Sequence, residues 1–432
     1  MLASGSCYGW INPILSHLMG PDSEIPMTTA EVAWVIPIIE LGDLISPLPA
    51  GILCDYIGRK PVILSSAPMY ILGWFLILYF PSPVMLGVAR TIHGIAMGVA
   101  YTASPIYLGE IAGNTTRGAI TSLFSNSWWM GFLVSYSIGP YLSFQNYTWF
   151  SLALNIPVFL LYWQPESPYY YIMANEEEKA YESLKWFRTS TLEELKAEME
   201  EIKKSVEENK RKASFRDVFA SGVDRKALIL LNALLAVRTL SGLTAFLIFT
   251  TEIFNQTPNL TVSSDLITIA FGLVMLGGSL IGSFTSDTLG RRFLLITSCI
   301  GCLICQICLG TYYFLLFNST INVSQLSWMS PILILTYALF CSAGMYVVSS
   351  TYTSELFPSN TRGIASSIAT INITIFCFIS LVVYQPIIDY IGVYANFYTF
   401  ASVLFVGCIY FYIVAPETKG KSFAQIRLEL SM

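Results

Sequence analysis

Glu40, Asp43 and Arg238 stand near the middle of apolar runs of this sequence. Glu40 and Asp43 are three residues apart, so a helix puts them on one face. A charge at the centre of a bilayer costs about 2.5–3.5 kcal/mol on insertion scales, so each should face a cavity or a partner. The chemistry open to them is pairing of Arg238 with Glu40 or Asp43, contact of Arg238 with an anionic solute, or proton coupling through the acids. His93, in another run, reads as a packed or cavity-lining histidine. Cys299, Cys302, Cys305 and Cys308 look like stacked metal-binding pairs. At 100° per residue, however, Cys308 reaches the face opposite Cys299, and no His, Asp or Glu stands nearby to complete a site. They read as packing residues. No metal or cofactor is expected. No nucleophile-and-base set or phosphate-binding loop argues for an enzyme.

A second set of charges stands at the ends of apolar runs, and it occurs twice. Asp55, Gly58, Arg59 and Lys60 return 232 residues later as Asp287, Gly290, Arg291 and Arg292. Glu110 and Arg117 return as Glu355 and Arg362, and Pro165-Glu166-Ser167 returns as Pro416-Glu417-Thr418. Offsets of 232, 245 and 251 keep the order, so the chain reads as doubled. Ion pairs among these residues, with Arg90 read at the cytosolic start of the fourth run, would hold the two halves together on one side, and breaking them would open it. A single exposed pair is worth under about 1 kcal/mol. Recurrence of the whole set is what points to a gate.

Elements of one kind must carry these residues. Of the 432 residues, 54% are hydrophobic and 12% charged, with a mean hydropathy of +0.60. Soluble domains carry about 25% charge, so the bilayer is the expected solvent. A spanning helix needs about 20 apolar residues, and twelve runs qualify: 2–19, 29–54, 62–80, 84–109, 118–142, 148–164, 226–250, 265–285, 293–317, 330–353, 363–385 and 394–414. Gly94/Gly98 and Gly278/Gly282 have the spacing that lets helices touch closely. Prolines 37, 47, 49, 105 and 157 interrupt runs, which is tolerated where protein or a water-filled cavity satisfies the freed backbone.

Lys and Arg fall in the even-numbered loops and the tail, which places those loops and both termini in the cytosol. Sequons at Asn146, Asn255, Asn259, Asn318 and Asn322 fall in the odd loops, as glycan acceptors should. Those at Asn114 and Asn372 fall in a cytosolic loop and a helix and are discounted. The net charge of −5 identifies no partner, because almost half of the charges lie in 166–217, and no basic cluster suits nucleic acid. The polar segment from about Asn175 to Asp217 reads as cytosolic surface helices. The first run starts almost at Met1 without a basic leader, so it is not a signal peptide. Either the first helix is short or the sequence is a truncated form. The expected organisation is an N-terminal half (1–165), a helical linker (166–225), a C-terminal half (226–418) and a cytosolic tail (419–432).

The motifs resemble the sugar porter family of the major facilitator superfamily. The resemblance rests on Asp55-Tyr-Ile-Gly-Arg-Lys60, Arg90-x3-Gly94, Glu110-x6-Arg117-Gly118, Pro165-Glu-Ser-Pro168, Asp287-x2-Gly290-Arg-Arg292, Glu355-x6-Arg362-Gly363 and Pro416-Glu-Thr-Lys-Gly420. Gly9-Trp10, Pro13 and Trp34 most resemble its facilitated trehalose transporter group. The resemblance implies an all-α membrane protein of twelve helices in two pseudo-symmetric six-helix halves, alternating access, and passive carriage of a sugar across the plasma membrane. It also implies a changed substrate site. Where the family has paired glutamines in the seventh helix, this chain has Arg238 and Thr239. The family's asparagine is Thr244 and its tyrosine Phe249. The tenth helix carries Tyr346-Val-Val-Ser-Ser350 in place of a Gly-Pro-x-Pro-Trp hinge. Asn372 stands one place before the usual asparagine of the eleventh helix, and a glutamine of the fifth is Ser125. Candidate substrate residues are therefore Ser125, Arg238, Thr239, Thr244, Ser350 and Asn372. Proton-coupled members carry an acid in the first helix, and this one has none. The expected function is facilitative carriage of trehalose or a hexose. The alternatives are a carrier of the same fold for an anionic or proton-coupled solute, and a sensor that binds solute without transport.

Overall fold

The computed structural model describes residues 1–113, 117–189, 191–209, 219, 222–318, 323–357, 359–421 and 423–431, and among them there are helices and no strand. All twelve expected runs are helical. The first span is Leu2–Gly9 and Ile11–Leu18, joined at Trp10, and the second is Thr29–Ile57, interrupted near Pro37 and again before Pro47. The third to sixth are Arg59–Tyr79, Pro83–Ile111, Arg117–Ile138, and Phe144–Ala153 continued by a 3₁₀ turn, Ile156–Trp163. The seventh is Gly222–Asn255. The eighth, ninth, eleventh and twelfth are Ser264–Leu289, Arg291–Asn318, Ser359–Tyr390 and Val393–Val414. The tenth runs over Met329–Phe340, Cys341–Tyr346 and Val347–Glu355. Among the described residues, nine of these are long and apolar enough to cross a membrane on their own. The first, Leu2–Leu18, is too short, the sixth is a ten-residue α-helix followed by a 3₁₀ turn, and the fifth is rich in Ser, Thr and Asn.

Local chemistry sets the helix ends. Ser82, Ser143 and Ser263 each accept an N–H from the first turn of the span they precede, and Thr28 and Glu31 form a reciprocal cap on the second. Gly58 and Gly290 have φ of 102° and 94°, a region that favours glycine, and so turn the chain between consecutive spans with no intervening loop.

The chain forms two compact units. The first comprises Met1–Tyr8, Ile38–Gly131 and Leu142–Lys212. Within it Gly94 and Gly98 meet the second span at backbone distance: a Cβ on Gly94 would lie 1.9 Å from the Ile39 carbonyl oxygen. The linker helices Pro168–Met173, Glu177–Phe187 and Leu192–Asn209 share a small core of Ile172, Leu184, Leu195, Met199 and Ile202. Arg188 fastens them to the fourth span by donating to the Ile111 carbonyl at 2.7 Å, and it pairs with Glu198 at 2.8 Å. The second unit comprises Gly9–Pro37, Phe132–Tyr141 and Ala213–Met432. In it Gly278 and Gly282 pack on Ser342 and Ala343 of the tenth span, so both glycine pairs are contacts of the kind their spacing predicts.

Candidate transport site and its gates

The duplicated motifs build one structure twice. In the first unit Arg59, 5% exposed, donates from Nε and Nη2 to Glu110 Oε1 at 3.1 and 2.9 Å, and from Nη1 to the Cys54 carbonyl at 3.0 Å. In the second, Arg291 donates from Nη2 to Glu355 Oε1 and from Nη1 to the Ser286 carbonyl, both at 3.1 Å. Glu166 accepts the backbone N–H of Lys60 at 2.8 Å; Glu417 accepts those of Arg291 and Arg292 at 3.0 and 3.1 Å. Each carboxylate thus sits at a helix N-terminus, where free N–H groups favour an anion. Tyr107 donates to the Pro165 carbonyl and Tyr352 to that of Pro416, both at 2.7 Å. Lys60 and Arg292 donate to the carbonyls of Tyr162 and Tyr412 at 2.8 and 2.7 Å.

The two copies differ in charge balance. Burial holds the Glu166 carboxyl above the usual carboxylate range despite its N–H donors. For half-buried Glu417 the same effect of burial is outweighed by the N–H groups of Lys419, Arg291 and Arg292, and its carboxyl is held below that range.

Two expectations change here. The described ion pairs of the network join residues of one sequence half: Arg59 with Glu110, Arg59 with Asp55 at 3.7 Å, and Arg291 with Glu355. They brace helix ends within each half rather than holding the two halves together. Arg90 does not belong to this network. It lies twenty residues before Glu110 on the same helix, about 30 Å away at 1.5 Å per residue. The loop order puts the start of the fourth span on the other side from Glu110. The side chains of Arg117, Asp287 and Arg362 lie outside the described residues, as do Asn114 and Asn322.

Arg90 instead belongs to a buried polar cluster of the first unit. It is 0% exposed, and Nη1 donates to the Cys7 carbonyl at 2.8 Å while Nε and Nη2 have no partner among the described residues. Glu40, 3% exposed, accepts the neighbouring Tyr8 hydroxyl at 2.6 Å. Asp43 is buried one turn further along the same helix piece. His93 is fully buried against Trp74, with ring centroids 4.4 Å apart, and its Nε2 lies 3.2 Å from the Tyr70 carbonyl. It is a packed histidine.

Arg238 organises the second unit. The seventh span stops being an α-helix directly after it, in a wide turn over Thr239–Leu243 where Gly242 has φ of 104°. The tenth span is interrupted likewise over Cys341–Tyr346. The two breaks meet at Arg238: Nη1 donates to Ser349 Oγ at 2.8 Å, the guanidinium lies 5.2 Å from the Tyr346 ring, and Nε is buried without a partner among the described residues. Asn372 donates to Asn232 Oδ1 at 2.6 Å, and Thr244 Oγ1 lies 3.6 Å from Cys377 Sγ. Thr239 is buried, whereas Ser350 is exposed and bonded to its own helix. Ser125, half-buried, belongs to the first unit. The partners Ser349 and Asn232 were not among the residues singled out from the sequence. Gln306 was not either. Fully buried on the ninth span, it donates to the Ser241 carbonyl at 2.7 Å and so satisfies a backbone group freed by the break. Gln306→Leu should leave that carbonyl unpaired and cost about 1–3 kcal/mol, read as a lowered melting midpoint of the purified protein.

At its far end the seventh span is tied, within the same unit, to the first and fifth spans. Asn12 donates to the Leu247 carbonyl at 3.1 Å and accepts from Thr251 at 2.6 Å; Tyr136 donates to the same carbonyl. Ser16 donates to Glu252 at 3.1 Å and accepts from Asn255 at 3.1 Å. The signal in the sequence was an asparagine inside an otherwise apolar run, next to Pro13.

The geometry is a pair of matched helix-end braces with polar clusters deep in the spans, and comparison with known proteins agrees with it. The model of the family "Sugar (and other) transporter" matches residues 5–430. The chain belongs to that family. It is 30% identical over 413 residues to the facilitated trehalose transporter Tret1 of Bombyx mori, covering 94% of this chain and 80% of the relative. It is 30% identical over 435 residues to the Tret1 of Apis mellifera ligustica, covering 98% and 85%. Against that of Aedes aegypti, 30% identical over 407 residues, it spans 94% of itself and half of the relative. The inward-open structure of the xylose transporter XylE from E. coli has a TM-score of 0.79 at 19% identity, covering 99% of this chain and 97% of XylE. At that identity the likeness establishes the major facilitator fold. The chain is therefore a membrane carrier of the sugar transporter family, with that fold over nearly its whole length.

Proposed function

We propose that this carrier moves trehalose or a hexose down its gradient by alternating access at the plasma membrane. In this reading the even loops and both termini are cytosolic, and exposed Asn146, Asn255, Asn259 and Asn318 are glycan acceptors. The observation that carries the reading is the doubled brace, built from corresponding residues in each half. It makes each half a body that can rock as one while the breaks in the seventh and tenth spans absorb the motion. The names of the relatives support trehalose. Thr239, Thr244, Asn372 and Ser349 supply the hydroxyl and amide groups that a sugar needs, and Ser125 and Ser350 complete the candidate set.

The test is uptake of labelled trehalose and glucose into cells expressing the chain, with and without a pH gradient. Saturable uptake indifferent to the gradient is expected. No uptake of either sugar, with the protein verified at the surface, would overturn the reading.

Arg238 favours a second reading. A cation with a spare buried donor at the junction of two helix breaks suits an anionic solute. Arg238→Gln separates the two. A neutral sugar should lose less than about tenfold in uptake, roughly one neutral hydrogen bond, whereas an anion should lose about a hundredfold. If uptake does follow the pH gradient, Glu40→Gln should abolish that dependence.

A further inference from the structure

We infer a second ligand site, for a small organic cation, in a cavity of about 230 Å³ at the end of the second unit opposite the Arg291 brace. Its walls come from the first, second, seventh, eleventh and twelfth spans. The charge of its lining sets it apart. Glu252 and Asp389 both line it, and among the described residues no lysine, arginine or histidine does. Their described partners are neutral. Ser16 and Gln256 donate to Glu252 at 3.1 and 3.3 Å, and Gln385 donates to Asp389 at 2.9 Å. These bonds orient the carboxylates without neutralising them.

A second observation is independent of the acids. Tyr384 lines the cavity, is 2% exposed, and its hydroxyl has no partner among the described residues. A buried polar atom left unpaired calls for a ligand or a solvent molecule, and an ammonium group would donate to it. The Tyr384 ring stacks on Phe249 with centroids 4.3 Å apart and planes at 19°. Aromatic rings beside carboxylates form the setting an organic ammonium prefers. Leu15, Val32 and Ile388 supply apolar wall for its body.

Other occupants fit less well. Among the described residues no three His, Cys, Asp or Glu side chains gather to hold a metal. A neutral sugar would leave both carboxylates uncompensated. The cavity is smaller than the roughly 300–1,000 Å³ of drug-sized sites, so the ligand is small. The site is also separate from Arg238: Glu252 lies fourteen residues further along the seventh span, about 20 Å on, and has the opposite charge.

The test is thermal unfolding of the purified full chain with phenethylamine, against phenethyl alcohol as its uncharged analogue. Flux is not measured, so the outcome does not depend on the transported solute. Saturating amine should raise the melting midpoint by about 3 °C, and the alcohol should leave it unchanged. Asp389→Asn, a substitution at an exposed position, should raise the amine concentration for half the shift about tenfold. Glu252→Gln combined with it should remove the shift. An equal shift from the alcohol, or a half-shift concentration unmoved by Asp389→Asn, would overturn the proposal. So would a shift from trehalose or glucose that is lost in Asp389→Asn.

Discussion

Arg59→Gln should reduce uptake more than tenfold and lower the melting midpoint, and Arg291→Gln should do the same to a smaller degree. The order follows from burial. The side chains of Arg59 and Glu110 are 6% and 15% exposed, against 12% and 27% for Arg291 and Glu355. Removing one partner of a buried pair leaves the other charge uncompensated, at a cost of about 3–5 kcal/mol. The more exposed pair is screened by water and should lose less. Glu110→Gln in the Arg59→Gln background should recover part of the stability, because the orphaned carboxylate is gone, but not the uptake, because the brace is still missing. Calorimetry of the four proteins in the cycle checks the first point, and tracer flux checks the second. Equal losses from Arg59→Gln and Arg291→Gln would argue that pair burial is not what sets the cost.

Gly94→Ala should prevent accumulation of folded protein, while Gly109→Ala on the same helix should be neutral or mildly stabilising. A Cβ at Gly94 would lie 1.9 Å from the Ile39 carbonyl oxygen and 2.9 Å from the Asp43 nitrogen. Both are backbone atoms and cannot rotate away, so the second and fourth spans must separate. Overpacking commonly costs about 1–3 kcal/mol, and a clash with backbone lies at or above the top of that range. Glu40 and Asp43 would move with the displaced segment. At Gly109 a Cβ meets nothing within 4 Å, so alanine there gains helix propensity of about 0.5–1 kcal/mol. Yield and melting midpoint of the two variants, prepared side by side, test the contrast.

Much of this was legible in order along the chain. Apolar runs of bilayer length announce spanning helices whatever they pack against, because each satisfies its own backbone. All twelve were found, with Arg59 and Arg291 at the starts of the third and ninth spans. The doubled motifs were legible because duplication leaves similar residues at similar offsets. Glycines four apart revealed the close contacts at Gly94 and Gly282, because only absent side chains permit them.

Partnership was not legible. Sequence spacing suggests Glu110 with Arg117, seven residues away, but the described bonds join Glu110 to Arg59, fifty-one residues back across a helix contact. Arg90 shows the same limit: its motif travels with the gate motifs, yet its guanidinium lies beside Cys7 and Glu40 rather than Glu110. The helix breaks at 239–243 and 341–346 contain no proline, so composition does not mark them, and neither does it mark Gln306, which caps one of them. Hydropathy and repetition along one dimension fix which segments cross the membrane and that they form two related sets. Which polar groups face one another is decided by how the helices rotate and cross. That depends on contacts between residues far apart in sequence, and here only the tertiary structure set the Asn12 and Tyr136 bolts on Leu247 and the acidic cavity beyond them.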